Sequence, residues 1–209
     1  ELEALAAKPE NKLMVLCSPH NPVGRVWTKE ELTAVAEICL KHDVLLVTDE
    51  IHADIVYEGY KHYPLLSLDK RYEENFILLT APSKTFNVAG LKASMSIIPN
   101  KELREKFEHT QKAMSLDVRN TFGLECVSAA YTDEGEEWMK QEIAYMQKNV
   151  DFLEKFVEEQ MPGTKMIRPQ GTFLCWFGPG GEEHIRINVG CPQSMLKEAI
   201  ERIQKVLYK

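Results

Sequence analysis

Two short, continuous apolar runs separated by a single helical pattern do most to restrict the fold of this chain. Lys12-Leu13-Met14-Val15-Leu16-Cys17 reads as a buried strand, and Val44-Leu45-Leu46-Val47-Thr48, a continuous apolar run with β-branched members, reads as another. Ser18-Pro19 and Asn21-Pro22 close the first run as turn formers. Between the runs, Thr28-Lys29-Glu30-Glu31 fits a capping box, and Leu32, Val35, Ala36 and Cys39 continue at helical spacing to about His42-Asp43. Strand, helix and strand in that order form a βαβ unit, which calls for a parallel sheet buried on both faces. Phe76–Thr80 and Ala93–Ile98 are further strand candidates on either side of a polar loop that holds Ser83 and Lys84. The expected class is α/β.

From Lys101 the pattern turns helical. Met139, Ile143, Met146, Val150, Leu153 and Val157 form a packing stripe from Gly135 to about Gln160. Beyond Met161-Pro162-Gly163, short strands are expected at Thr172–Trp176 and His184–Val189, with a closing helix from about Ser194. This reads as a large domain over residues 1–140 and a smaller α/β domain over 141–209.

Composition restricts the function classes. With 44% hydrophobic residues, 209 residues suffice for a real core. A net charge of −7 without a basic run argues against nucleic-acid or anionic-membrane partners. No apolar stretch approaches the roughly 20 residues of a membrane span, and Glu1-Leu2-Glu3 is not the positive start of a signal peptide, so a cytoplasmic location is expected. Cys17, Cys39, Cys126, Cys175 and Cys191 are scattered and odd in number. They suggest neither a disulfide framework nor a metal site and read as small buried residues. Gly178-Pro179-Gly180-Gly181 lacks the Lys-Ser/Thr of a phosphate loop and reads as a turn, and no histidine is placed to activate Cys191.

In an open parallel sheet, functional groups gather at the carboxyl ends of the strands. Asn21, Asp49 and Lys84 each lie at or just past such an end. A pyridoxal cofactor needs that set of groups: a lysine for its aldehyde, a carboxylate for its ring nitrogen and a donor to its phenolic oxygen. Taken singly, Lys84 is a loop lysine, Asp49 a possible helix cap and Asn21-Pro22 a turn; their combination is what points to chemistry.

Four segments occur in order: Ser18-Pro19-His20-Asn21-Pro22-Val23-Gly24-Arg25, Asp49-Glu50-Ile51-His52-Ala53-Asp54, Ala81-Pro82-Ser83-Lys84-Thr85-Phe86-Asn87, and Arg186-Ile187-Asn188-Val189-Gly190-Cys191-Pro192. They resemble fold-type I enzymes dependent on pyridoxal 5'-phosphate (PLP), and among these the cystathionine β-lyase-like branch of the class I/II aminotransferases. The resemblance covers essentially the whole chain. It implies a PLP-dependent transferase-like fold, with part of a three-layer α/β/α large domain and a smaller carboxyl-terminal domain. It also implies that Lys84 carries the cofactor as a Schiff base and then removes the substrate α-proton. Asn21 would hydrogen-bond the phenolic oxygen, where it also borders the substrate, and Asp49 would pair with the ring nitrogen. His52 stands where many aminotransferases have a tyrosine near the same oxygen, and Arg186 matches the arginine that grips the substrate carboxylate, for which a structural carboxylate partner is the competing explanation.

Relatives commonly hold the cofactor phosphate with a serine three residues before the lysine and an arginine eight residues after it. Here Ala81 and Lys92 occupy those places. Ser83 and Lys92 are expected to supply part of the grip. The rest would come from a preceding segment of about 150 residues that relatives carry, so the chain reads as a truncated form of a longer enzyme. A jump of some thirty residues is also expected between Trp176 and Phe177. The resemblance implies an amino acid substrate and a homodimer in the complete enzyme. Carbon–sulfur β-elimination is the first reading, transamination the second, and a non-catalytic binding fragment the third.

Overall fold

The structure, a computed structural model, describes residues 1–177 and 185–207. In chain order the elements are α1 (Leu2–Ala6), β1 (Leu13–Cys17), α2 (Lys29–Lys41), β2 (Leu45–Asp49), β3 (Phe76–Thr80), β4 (Met95–Ile97), α3 (Lys101–Ala113), α4 (Thr121–Ala130), α5 (Asp133–Gln160), β5 (Met166–Ile167), β6 (Leu174–Phe177), β7 (Ile185–Asn188) and α6 (Gln193–Leu207). The expected turn at Gly178–Gly181 and the first residue of the strand expected from His184 lie outside the described residues.

The expected capping box starts α2: Thr28 Oγ1 accepts from the Glu31 amide at 3.2 Å, and the Glu31 carboxylate accepts from the Thr28 amide at 3.0 Å. Residues Leu32, Ala36 and Cys39 then bury one face of the helix. They join Leu16, Leu46, Leu65, Tyr72 and Phe76 in the first core. The first sheet has the order β1-β2-β3-β4, with β1, β2 and β3 parallel. Cys17 lies opposite Asp49, and Asp49 opposite Leu79, so the carboxyl ends of the three strands are aligned. Strand β4, for which the sequence sets no direction, runs antiparallel to β3. No α-helical crossover separates β3 from β4, so the chain doubles back after the Lys84 loop.

The second sheet, β5-β6-β7, is antiparallel and packs with α5 and α6 in the second core, around Met146, Val150, Leu153, Val157, Leu196 and Ile200. A division after residue 140 would fall inside α5, whose buried residues begin at Met146. Ile55 and Tyr57, only a few residues beyond β2, belong to this second core. A strap over residues 168–172 accounts for that. Gln170 donates its amide to the Gly24 carbonyl at 2.7 Å, accepts from the Val26 amide on its side chain at 2.8 Å, and accepts from the Tyr57 amide at 3.0 Å. The Asn21 turn is thereby fastened to the start of β6.

Cys39 and Cys175 are buried as expected, while Cys17, Cys126 and Cys191 are only half-buried; all five are free. Among the described residues no helix is long and apolar enough to cross a membrane, and no group of three or more potential metal ligands occurs.

Candidate active site

The site is built at the carboxyl ends of β1, β2 and β3. Asp49 is the last residue of β2, where its carboxylate accepts from the Ile51 amide at 3.2 Å. That bond turns the chain so that His52 points inward, 2% exposed. Asn21 Nδ2 lies 3.2 Å from His52 Nε2. The amide nitrogen can only donate, so Nε2 accepts and the proton of the neutral ring sits on Nδ1. Burial lowers the His52 pKa below 6.5, the Lys84 charge lowers it further, and the Asp49 carboxylate opposes both. Lys84 and Asp49 are thus both close enough to act on this ring.

Phe173 meets the ring edge-on at 5.2 Å. Three buried polar atoms, Ser18 Oγ beyond β1, His52 Nδ1 beyond β2, and Thr172 Oγ1 next to Phe173 in the chain, have no hydrogen-bond partner among the described residues. Leaving such a group unpaired costs about 1–3 kcal/mol, so three together fit a pocket made for a polar group. Lys84 is half-buried, and its amine has no partner among the described residues.

Asn21, Asp49, His52 and Lys84 come together, with Ser83 buried beside Lys84. Lys92 faces elsewhere. It ends a 3-10 turn in the left-handed conformation and lines a cavity of about 390 Å3 with Ser94, Arg104, Gln111 and Arg119. Arg186 stands on β7 opposite Trp176, exposed, and no described carboxylate pairs with it. Strand β6, which pairs with the strand that carries it, begins just beyond Thr172 and Phe173.

Sequence reasoning did not find Phe173, 121 positions from His52, because nothing local brings the two together. It also missed the buried pair beside Asp49. The Glu50 carboxylate accepts from His62 Nε2 at 2.8 Å, the Leu65 amide at 3.0 Å and Thr48 Oγ1 at 3.1 Å. A glutamate directly after a site aspartate was the available signal.

The sequence matches the family described as aminotransferase class I and II over residues 1–183. The chain belongs to that family. Among the relatives of this aminotransferase-family chain, cystathionine beta-lyase PatB of Bacillus subtilis (strain 168) is 35% identical, covering 99% of this chain and 61% of its own length. Solved structures share the fold, among them the two that follow. Cystalysin from Treponema denticola, which contains a pyridoxal 5'-phosphate cofactor, is 35% identical with a TM-score of 0.94 over 99% of this chain and 60% of its own. The PLP-bound C-S lyase from Staphylococcus hominis is 28% identical with a TM-score of 0.91 over 100% of this chain and 60% of its own. The fold is therefore that of PLP-dependent transferases, and the chain spans about three fifths of the length of these relatives. The alignment with PatB runs over 237 positions, more than the 209 residues here, so PatB has residues within that span that this chain lacks.

Proposed function

We propose that this chain is part of a PLP-dependent carbon–sulfur β-lyase that converts a sulfur amino acid of the cystathionine type to a thiol, pyruvate and ammonia. One observation carries the reading: a buried, neutral imidazole, His52, is bonded to Asn21 and lies within electrostatic reach of both Asp49 and Lys84. The names of PatB and of the cited C-S lyase agree with it.

The residues present fit the cofactor. A carboxylate, an amide and a lysine meet at aligned strand ends, with unpartnered buried polar atoms around them. When bound, pyridoxal phosphate supplies an electron sink conjugated to the substrate α-carbon. Lys84 Nζ is the amine that would hold the cofactor through its aldehyde and that would serve as the base for the substrate α-proton. Asp49 is the carboxylate that would hold a proton on the ring nitrogen. Asn21 Nδ2 would donate to the phenolic oxygen, and His52, bonded to Asn21, would keep it in place with its own Nδ1–H left to donate. Ser83 and Lys92 are assigned part of the phosphate grip, the latter only if its side chain swings out of the cavity it lines. Arg186, with no described carboxylate beside it, is assigned the substrate carboxylate, for which its planar fork is suited.

We further propose a large domain over residues 1–140 and a small one over 141–209, with the residues absent relative to PatB falling between Trp176 and Phe177. A cytoplasmic homodimer is proposed for the complete enzyme; free cysteines accord with a reducing compartment.

The test is pyruvate release by the full natural chain given PLP and cystathionine. Loss by about a thousandfold in Lys84→Ala is expected. Keto-acid-dependent amino transfer without pyruvate would instead establish the transaminase activity that the family description names.

A further inference from the structure

We propose that Thr85 and Asp54 form a positioning pair that sets where the Lys84 amine can reach. The inference rests on the reading of Lys84 as the cofactor lysine and goes beyond it, since neither Thr85 nor Asp54 has a role in that reading.

The loop after β3 is closed by two backbone bonds, Phe86 amide to Pro82 carbonyl at 2.9 Å and Val88 amide to Ser83 carbonyl at 3.0 Å. Those bonds shape the loop but do not fix it against the rest of the site. Among the described residues, residues 81–87 make a single side-chain hydrogen bond: the Thr85 hydroxyl donates to Asp54 Oδ2 at 2.8 Å. Thr85 is 0% exposed, so water does not compete for the hydroxyl. A threonine on a turn can satisfy itself on nearby backbone carbonyls, and this one reaches 31 positions away instead.

Asp54 is well placed to anchor it. It ends the turn that begins at Asp49 and contains His52, and that turn is locked by the Ile55 amide on the His52 carbonyl at 3.0 Å and the Val56 amide on the Asp54 carbonyl at 3.1 Å. The Thr85–Asp54 bond therefore ties the loop of the lysine to the turn of the ring-binding carboxylate and imidazole. Phe86 secures the same loop from the other side, stacked on Trp138 at 5.5 Å with Tyr131 edge-on at 6.4 Å. The two residues that follow Lys84 are thus held, while its amine has no partner among the described residues. A hydrogen bond to a charged group is worth roughly tenfold or more in an equilibrium, and a misplaced amine loses that factor where it engages the cofactor.

The experiment uses the full natural chain with PLP and three variants: Thr85→Val, which keeps the shape but cannot donate, Thr85→Ser, which can, and Lys84→Ala. Three quantities are read: the PLP dissociation constant from tryptophan quenching, the pH midpoint of the absorbance band at ~420 nm, and the thermal midpoint without PLP. Thr85→Val is expected to weaken PLP binding about tenfold and move the pH midpoint, with Thr85→Ser restoring both. If Thr85→Val lowers the thermal midpoint yet leaves the band and the PLP affinity at wild-type values, the pair is only structural and the proposal fails. Should Thr85→Val not fold, Asp54→Asn keeps the shape and removes the charge, and wild-type affinity and pH midpoint in that variant overturn the proposal equally. A wild-type chain with no Lys84-dependent band would remove the cofactor reading and this proposal with it.

Discussion

A histidine that is buried, accepts from an amide on one nitrogen and lies near a lysine has every reason to stay neutral. The folded-state pKa of His52 lies below the ordinary 6.5, first through burial and then through the Lys84 charge. Between the lowered value and 6.5 the unfolded chain binds more protons than the folded one, so stability rises with pH across that window. The contribution is complete above 6.5 and is lost as pH falls through 6.5 towards the lowered value. His52→Asn should therefore lose less stability than wild type between pH 8 and pH 5 in denaturation midpoints, and an equal acid loss in both would refute this account of His52. Asn21, Asp49, His52 and Lys84 were legible in the sequence because each follows a short apolar run that ends in turn-forming or charged residues. Phe173 was not, since its place beside His52 depends on the strap at residues 168–172, which only the folded chain reveals.

At the scale of elements, that strap decides how the Asn21 turn meets the second sheet. Gly24 sits at φ +75°, and a Cβ there would come within 2.6 Å of Pro169 Cβ and 2.8 Å of the Gly171 carbonyl. Gly24→Ala should cost about 2 kcal/mol or more, because it combines a left-handed backbone with a backbone collision. Urea titration checks this, and a variant as stable as wild type would show that the strap is not tight. The parallel strands and the capping box of α2 were readable because hydrophobic period and cap chemistry are local signals. The direction of β4 and the two-residue β5 were not, since each is fixed by the strand it meets: Leu78 lies opposite Ile97, and Met166 opposite Phe177.

The whole molecule shows two cores linked through Ile55 and Tyr57, and a first sheet in which β1 bonds only to β2 and β4 only to β3 among the described residues. Strand β1 leaves Val15 63% exposed, and the start of α4 leaves Phe122 76% exposed. Open strand edges and apolar patches favour association. The 209-residue chain by itself is therefore expected to self-associate at micromolar concentration in light scattering, and a monodisperse monomer would contradict that expectation. Such surfaces could not be read from the sequence, because an exposed valine and a buried one look alike there. Borohydride reduction of the PLP-loaded full chain, followed by peptide mass mapping, checks the assignment of Lys84 as the residue that would hold the cofactor. A pyridoxyl adduct on Lys84 is expected; an adduct confined to another lysine, or none at all, would overturn the assignment.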